Sequence, residues 1–103
     1  MFSYRVTWIV KQGQMVKALE VISTGIERDK HLIPETAVFR VYTPELSPHV
    51  LVIDMAFDSV EDHDRFWATF SDTPHSAAFW QAWFGVTERL VGEERWHLAE
   101  WRG

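Results

Sequence analysis

The sequence predicts an α+β domain: an antiparallel four-stranded sheet with helices on one face, in the order β-α-β-β-α-β. Three observations predict it. Strand-like alternation over residues 2–11 gives way to helical spacing from Gln14. A later strand, residues 49–57, is apolar on both faces except at Asp54, the pattern of a central strand covered on both sides. A capped helix and a second, aromatic-rich helix follow it, separated by Thr73-Pro74. At 103 residues the chain has the size of one domain.

In the first strand Phe2, Tyr4, Val6, Trp8 and Val10 share one face, and Gln12-Gly13 ends it. Met15, Leu19, Ile22 and Ile26 then recur at helical spacing, with Gly25 a local weak point. Leu32-Ile33-Pro34 closes that helix, because a residue before proline is disfavoured in the α region. Residues 35–43 form a strand with Ala37, Phe39 and Val41 on one face and Val38, Arg40 and Tyr42 on the other. The segment 44–48, bounded by two prolines, is a turn.

After the central strand, Asp58 or Ser59 caps a helix, with Asp58 and Glu61 at capping-box spacing. That helix carries His63, Phe66, Trp67 and Phe70 on one side. Thr73 is the expected cap of the next helix and Pro74 its first residue; its buried side is Phe79, Trp80, Trp83 and Phe84. Val91-Gly92 is expected to turn the chain into a last strand, residues 94–101. This order is the split βαβ arrangement of ferredoxin-like domains. Its sheet leaves one face without helices, and here that face carries Val38, Tyr42, Val50 and Val52. A second copy of the sheet would cover it, so the expected assembly is a homodimer, a dimeric α+β barrel with helices outside.

Composition supports that expectation and excludes several classes. Six Trp and seven Phe are hard to hide in a monomer of this length. A formal net charge of −5 and scattered Lys and Arg argue against a nucleic-acid partner. Cysteine is absent, which removes disulfides, thiolate metal ligands and Cys nucleophiles. The N-terminal residues alternate rather than forming a signal peptide's apolar core, and no apolar run is long enough to span a membrane. A soluble, cytoplasmic protein is expected.

Two constellations could carry chemistry. Arg5, Arg40 and Asp54 fall on the strand faces assigned to the barrel interior, and the predicted strand order puts Asp54 between both arginines. They would anchor a polar or anionic ligand, or else form a structural ion pair in the dimer core. His63 and Trp67 share a helical face at i, i+4 and could line a pocket, with His63 as an acid or base near neutral pH. The five histidines show no metal-ligand spacing, so no metal is expected. His75 lies near a helix N-terminus, where a neutral imidazole is favoured. Trp80, Trp83 and Phe84 at helical spacing read as core or dimer interface.

The segment Ala56-Phe57-Asp58-Ser59-Val60-Glu61-Asp62, followed by residues 66–74, resembles the second half of NIPSNAP-like proteins. It is also similar to the wider antibiotic-biosynthesis-monooxygenase-like group of dimeric α+β barrels. Gln12-Gly13 resembles the Pro-Gly that starts the first helix there. The resemblance implies the dimeric barrel, and Thr7 and Trp67 as pocket residues. In the haem-degrading branch the site needs an Asn on the first strand and a His downstream; here those positions are Thr7 and Ala78, with His75 about three residues early. No cofactor is therefore expected. The reading is a protein binding a small apolar or aromatic molecule between sheet and helices, with Arg5, Thr7, Arg40, Asp54 and Trp67 as contacts. A cofactor-independent monooxygenase acting on a phenolic or polycyclic substrate, with His63 and Tyr42 moving a proton, is one alternative. A non-catalytic structural or interaction protein is the other.

Overall fold

The structure, a computed structural model, describes residues 1–99. Strand β1 (Phe2–Val10) leads through a glycine in the left-handed region, Gly13 at φ 76°, into helix α1 (Met15–Arg28). A short 3₁₀ turn (Lys30–Leu32) precedes β2 (Val38–Tyr42) and β3 (Val50–Phe57). Helices α2 (Val60–Ser71) and α3 (Ser76–Val86) follow, then β4 (Thr87–His97). The sheet is antiparallel throughout, in the order β2-β3-β1-β4, so the doubly apolar strand lies inside it as its pattern requires.

Ser59 caps α2, its hydroxyl accepting the Asp62 N–H at 3.2 Å. Asp58 instead accepts from the Thr36 hydroxyl at 2.7 Å, pinning the turn before β2 to the end of β3. The break between the two helices departs from expectation. Thr73 donates to the Phe70 carbonyl at 2.7 Å and so finishes α2 rather than capping α3. Pro74 lies in the turn, and α3 begins at Ser76 with no side-chain cap.

The buried side of α1 is also rotated from the expected stripe. Ala18, Ile22 and Gly25 are buried, whereas Leu19 is 37% exposed. Small residues let the helix approach its neighbours, and a count of large apolar side chains does not register them. A Cβ on Gly25 would stand 2.9 Å from Cε1 of Phe79, so α1 meets α3 where only glycine fits. On α3, Trp83 is fully buried, but Phe84 is exposed, stacked on Trp80.

The last strand starts at Thr87, and Val91-Gly92 is no turn. Thr7 pairs with Gly92 and Trp8 with Leu90, which leaves Val91 as the extra residue of a β-bulge. The glycine marks a kink within the ladder, not its end. Trp101, expected in this strand, lies outside the described residues.

The core forms two clusters. Val10, Ala18, Ile22, Leu51, Trp83 and Val86 make one; Met55, Phe57 and Phe66 make the other, and Ile53 packs against both. Among the described residues no helix is long and apolar enough to cross a membrane.

Candidate functional site

Where the two clusters meet, a partly open cavity of about 370 Å³ lies between sheet and helices. Alternation along the strands supplies its floor: Tyr4, Val6 and Trp8 from β1, Ile53 and Met55 from β3. The helices supply the roof, chiefly Phe66, Trp67 and Phe70 from α2 and Phe79, Trp80 and Trp83 from α3. The aromatic rings brace one another: Trp67 stacks on Trp80 at 6.1 Å, and Phe70 meets Phe79 edge-on at 5.6 Å. A largely apolar hollow with a few converging polar groups has the form of a small-molecule site.

Those polar groups sit at the wall. The Tyr4 hydroxyl donates to Glu93 Oε1 at 2.9 Å. Burial, reinforced by the bond to Glu93 and its charge and opposed by Arg95, pushes the Tyr4 phenol from 10.0 up to about 12, so it stays a donor. His63 is 6% exposed and packs edge-on against the rings of Tyr4, Phe2 and Phe57. Its Nδ1 lies 2.9 Å from Asp64 Oδ1, while Nε2 is buried without a partner among the described residues. The Trp67 indole N–H is buried in the same condition.

Asp29, at the C-terminal end of α1, is 2% exposed and also reaches the wall. One of its oxygens pairs with His75 Nε2; the other is 3.8 Å from Arg28 Nε, an ionic contact too long for a hydrogen bond. His75 stands at the N-cap of α3, the helix N-terminus expected for it, and is also tied to a buried carboxylate that links α1 to the α2–α3 turn.

The residues singled out from sequence divide between the two faces of the sheet. His63 and Trp67 line the cavity. Arg5, Thr7, Arg40, Tyr42 and Asp54 lie on the helix-free face instead, because strand alternation sends them away from Tyr4, Phe39, Ile53 and Met55. Within one chain Tyr42 and His63 therefore cannot act on one substrate. The register does place Asp54 opposite both Arg5 and Arg40. Arg5 donates to Asp54 Oδ2 at 3.2 Å, and Asp54 Oδ1 is buried without a partner among the described residues. Arg5, Asp54 and Arg40 thus form one cross-strand row, with Thr7 and Tyr42 on either side of Val52 in the next, and none of the five anchors the cavity.

Sequence reasoning missed Tyr4, Glu93 and Asp29. Tyr4 carried a signal, a hydroxyl on an otherwise apolar strand face. Glu93 carried none, because its facing depends on the bulge at Val91. Asp29 likewise read as one more charge at a helix end.

The fold and cavity define a ferredoxin-like α+β domain with a partly open, largely apolar cavity on its helical side. No protein-family model matches the chain, and no curated protein does. Solved structures match over nearly its whole length, and NIPSNAP-family and antibiotic-biosynthesis-monooxygenase-like proteins are among them. A NIPSNAP-family protein of unknown function from Agrobacterium tumefaciens is 25% identical with a TM-score of 0.78, over 96% of this chain and 94% of that one. A NIPSNAP domain protein from Burkholderia xenovorans is 15% identical with a TM-score of 0.76, over 100% and 99%. A candidate antibiotic biosynthesis monooxygenase from Chloroflexus aurantiacus is 14% identical with a TM-score of 0.74, over 99% and 96%.

Proposed function

We propose that the chain binds a small, mainly apolar or aromatic molecule in the cavity between sheet and helices. The cavity itself carries this reading: at about 370 Å³ it falls within the size range of ligand sites and is walled mostly by aromatic and aliphatic side chains. An interior filled by its own side chains, as in a purely structural protein, would leave no such hollow. The test is equilibrium dialysis of the full chain against naphthalene, an apolar probe with no polar group. Saturable binding that Trp67→Ala or Ile53→Trp alters, the first enlarging and the second filling the cavity, is expected. Binding unchanged by both variants, or none, sinks the reading.

The proposed assembly is a homodimer joined through the helix-free sheet faces. Val38, Tyr42 and Trp96 on that face are 43%, 44% and 58% exposed, an apolar surface that a second sheet would cover. The row Arg5, Asp54 and Arg40 would then lie between the sheets.

A catalytic version draws on two observations, the candidate monooxygenases among the structural neighbours and the unpartnered Nε2 of His63 at the cavity wall. In it His63 takes a proton from a bound phenolic substrate, whose reaction with dioxygen then leaves one oxygen atom in a quinone product and the other in water, the substrate itself supplying the electrons. Oxygen uptake with hydroxyarenes, abolished in His63→Phe, is its test.

A further inference from the structure

We infer that two copies of this chain join about a two-fold axis running along the strands between β3 and β1, so that Arg40 pairs with the partner's Glu94 and Asp54 with the partner's Arg5. This rests on the homodimer proposed above and goes beyond it by fixing the axis and the residue pairs. A cross-strand row of four charges carries it. The register sets Arg40 beside Asp54, Asp54 beside Arg5 and Arg5 beside Glu94. The row therefore reads plus, minus, plus, minus across β2, β3, β1 and β4. Directly paired residues point to one side of a sheet, which puts all four on the helix-free face. Within one chain the row is only half satisfied. Arg5 donates to Asp54 Oδ2 at 3.2 Å, and the Trp96 indole N–H donates to Glu94 Oε2 at 2.8 Å. Arg40 and Glu94 stand on opposite edge strands, three strand spacings or about 14 Å apart. Neither makes an ion pair among the described residues.

Symmetry selects the axis. A closed dimer uses one surface patch twice, so the patch must complement itself. An axis along the strands reverses the strand order of the second sheet but keeps each row at its own height. The charge row then meets itself back to front, and all four contacts join opposite charges. An axis along the row instead sets every charge against its own copy. Shifting the strand-wise axis onto β3 brings Arg40 against the partner's Arg5 and Asp54 against the partner's Asp54. Shifting it onto β1 brings Asp54 against the partner's Glu94. Like charges face to face oppose association, so the centred axis alone fits. The flanking rows agree in size. Tyr42 comes opposite the partner's Gly92, which has no side chain to clash, and Val52 opposite the partner's Thr7. Trp96 covers the partner's Val38, both exposed in the single chain. Aligned sheets cross at about 30°. Asp54 and Arg5 lie beside the axis, where the crossing displaces them least, and the longer Arg40 and Glu94 side chains span the offset at the ends.

The experiment is sedimentation equilibrium of the full chain and three charge variants, with circular dichroism to check their folding. Arg40→Glu and Glu94→Arg each set like charges together at two symmetry-related contacts. Each should weaken the dimer about a hundredfold, on the order of tenfold per contact. The chain carrying both substitutions has its contacts between copies matched again, although both positions now repel their neighbours in the same chain. It should regain most of the lost affinity, to within about tenfold of wild type. The chain holds no cysteine, which allows a second measurement that needs no charge variant. Arg40→Cys mixed with Glu94→Cys should be joined by a short bis-maleimide, and neither variant joined to itself; if a charge variant misfolds, the cross-links decide. Single reversals that leave the dimer intact, a double variant no tighter than the singles, or Arg40→Cys cross-linked to itself overturns this axis and leaves the homodimer standing. A wild-type monomer removes both.

Discussion

The Tyr4 phenol is where the local environment makes its most measurable demand. Partial burial and the carboxylate of Glu93 hold it protonated, with its pKa pushed from 10.0 up to about 12. The folded state thus binds the phenolic proton more tightly than the unfolded chain. Its contribution to stability is complete below pH 10 and declines as pH rises from about 10 to about 12, where the unfolded chain ionises first. In a Tyr42→Phe background, leaving Tyr4 as the single phenol, spectrophotometric titration should show phenolate appearing near pH 12. A midpoint at 10 would mean that neither the burial of Tyr4 nor its bond to Glu93 persists in solution.

At the scale of elements, the contact that shapes the cavity is α1 against α3. Gly25 is buried there, and Phe79 stands where its Cβ would go. Phe79 cannot readily retreat, since it is wedged between Phe70 and Trp80. Alanine favours a helix interior by roughly 1 kcal/mol over glycine, yet here the overlap outweighs that gain. Gly25→Ala should lower stability by about 1–3 kcal/mol in denaturant melts, the usual cost of overpacking. A stabilised variant would show that the aromatic cluster yields and that α1 is not held at this distance.

At the scale of the whole molecule, the proposed assembly rests on the helix-free sheet face. Val38→Asp puts a charge into the proposed interface while leaving the helical side untouched. It should convert the proposed homodimer to a folded monomer in sedimentation at micromolar concentration; a wild-type monomer would remove the dimer altogether. The ion pair on that face adds little within one chain. Arg5 is 44% exposed, and exposed pairs contribute about 0–1 kcal/mol. Asp54→Ala is therefore expected to weaken association more than it weakens folding, as dilution series of the two variants would reveal.

Element order, strand order and the interior place of the doubly apolar strand were legible in the residues because they follow from hydrophobic period and turn chemistry, which are local properties. So was the pairing of His63 with Trp67, since helical spacing alone puts both on one face. The bulge at Val91, the rotation of α1 towards Gly25, the exposure of Phe84 and the Asp29–His75 tie were not. Each depends on what a residue meets across the fold, such as a glycine's missing Cβ or a ladder slipping by one residue. The division of the candidate residues was half legible. Strand alternation separated Arg5, Arg40, Tyr42 and Asp54 from Tyr4 and Met55, but only the packed helices determined which face encloses a cavity. The sequence by itself thus determined the frame, because local periodicity specifies which elements form. The tertiary structure decided the site, because a cavity consists of surfaces brought together from strands and helices far apart in the chain.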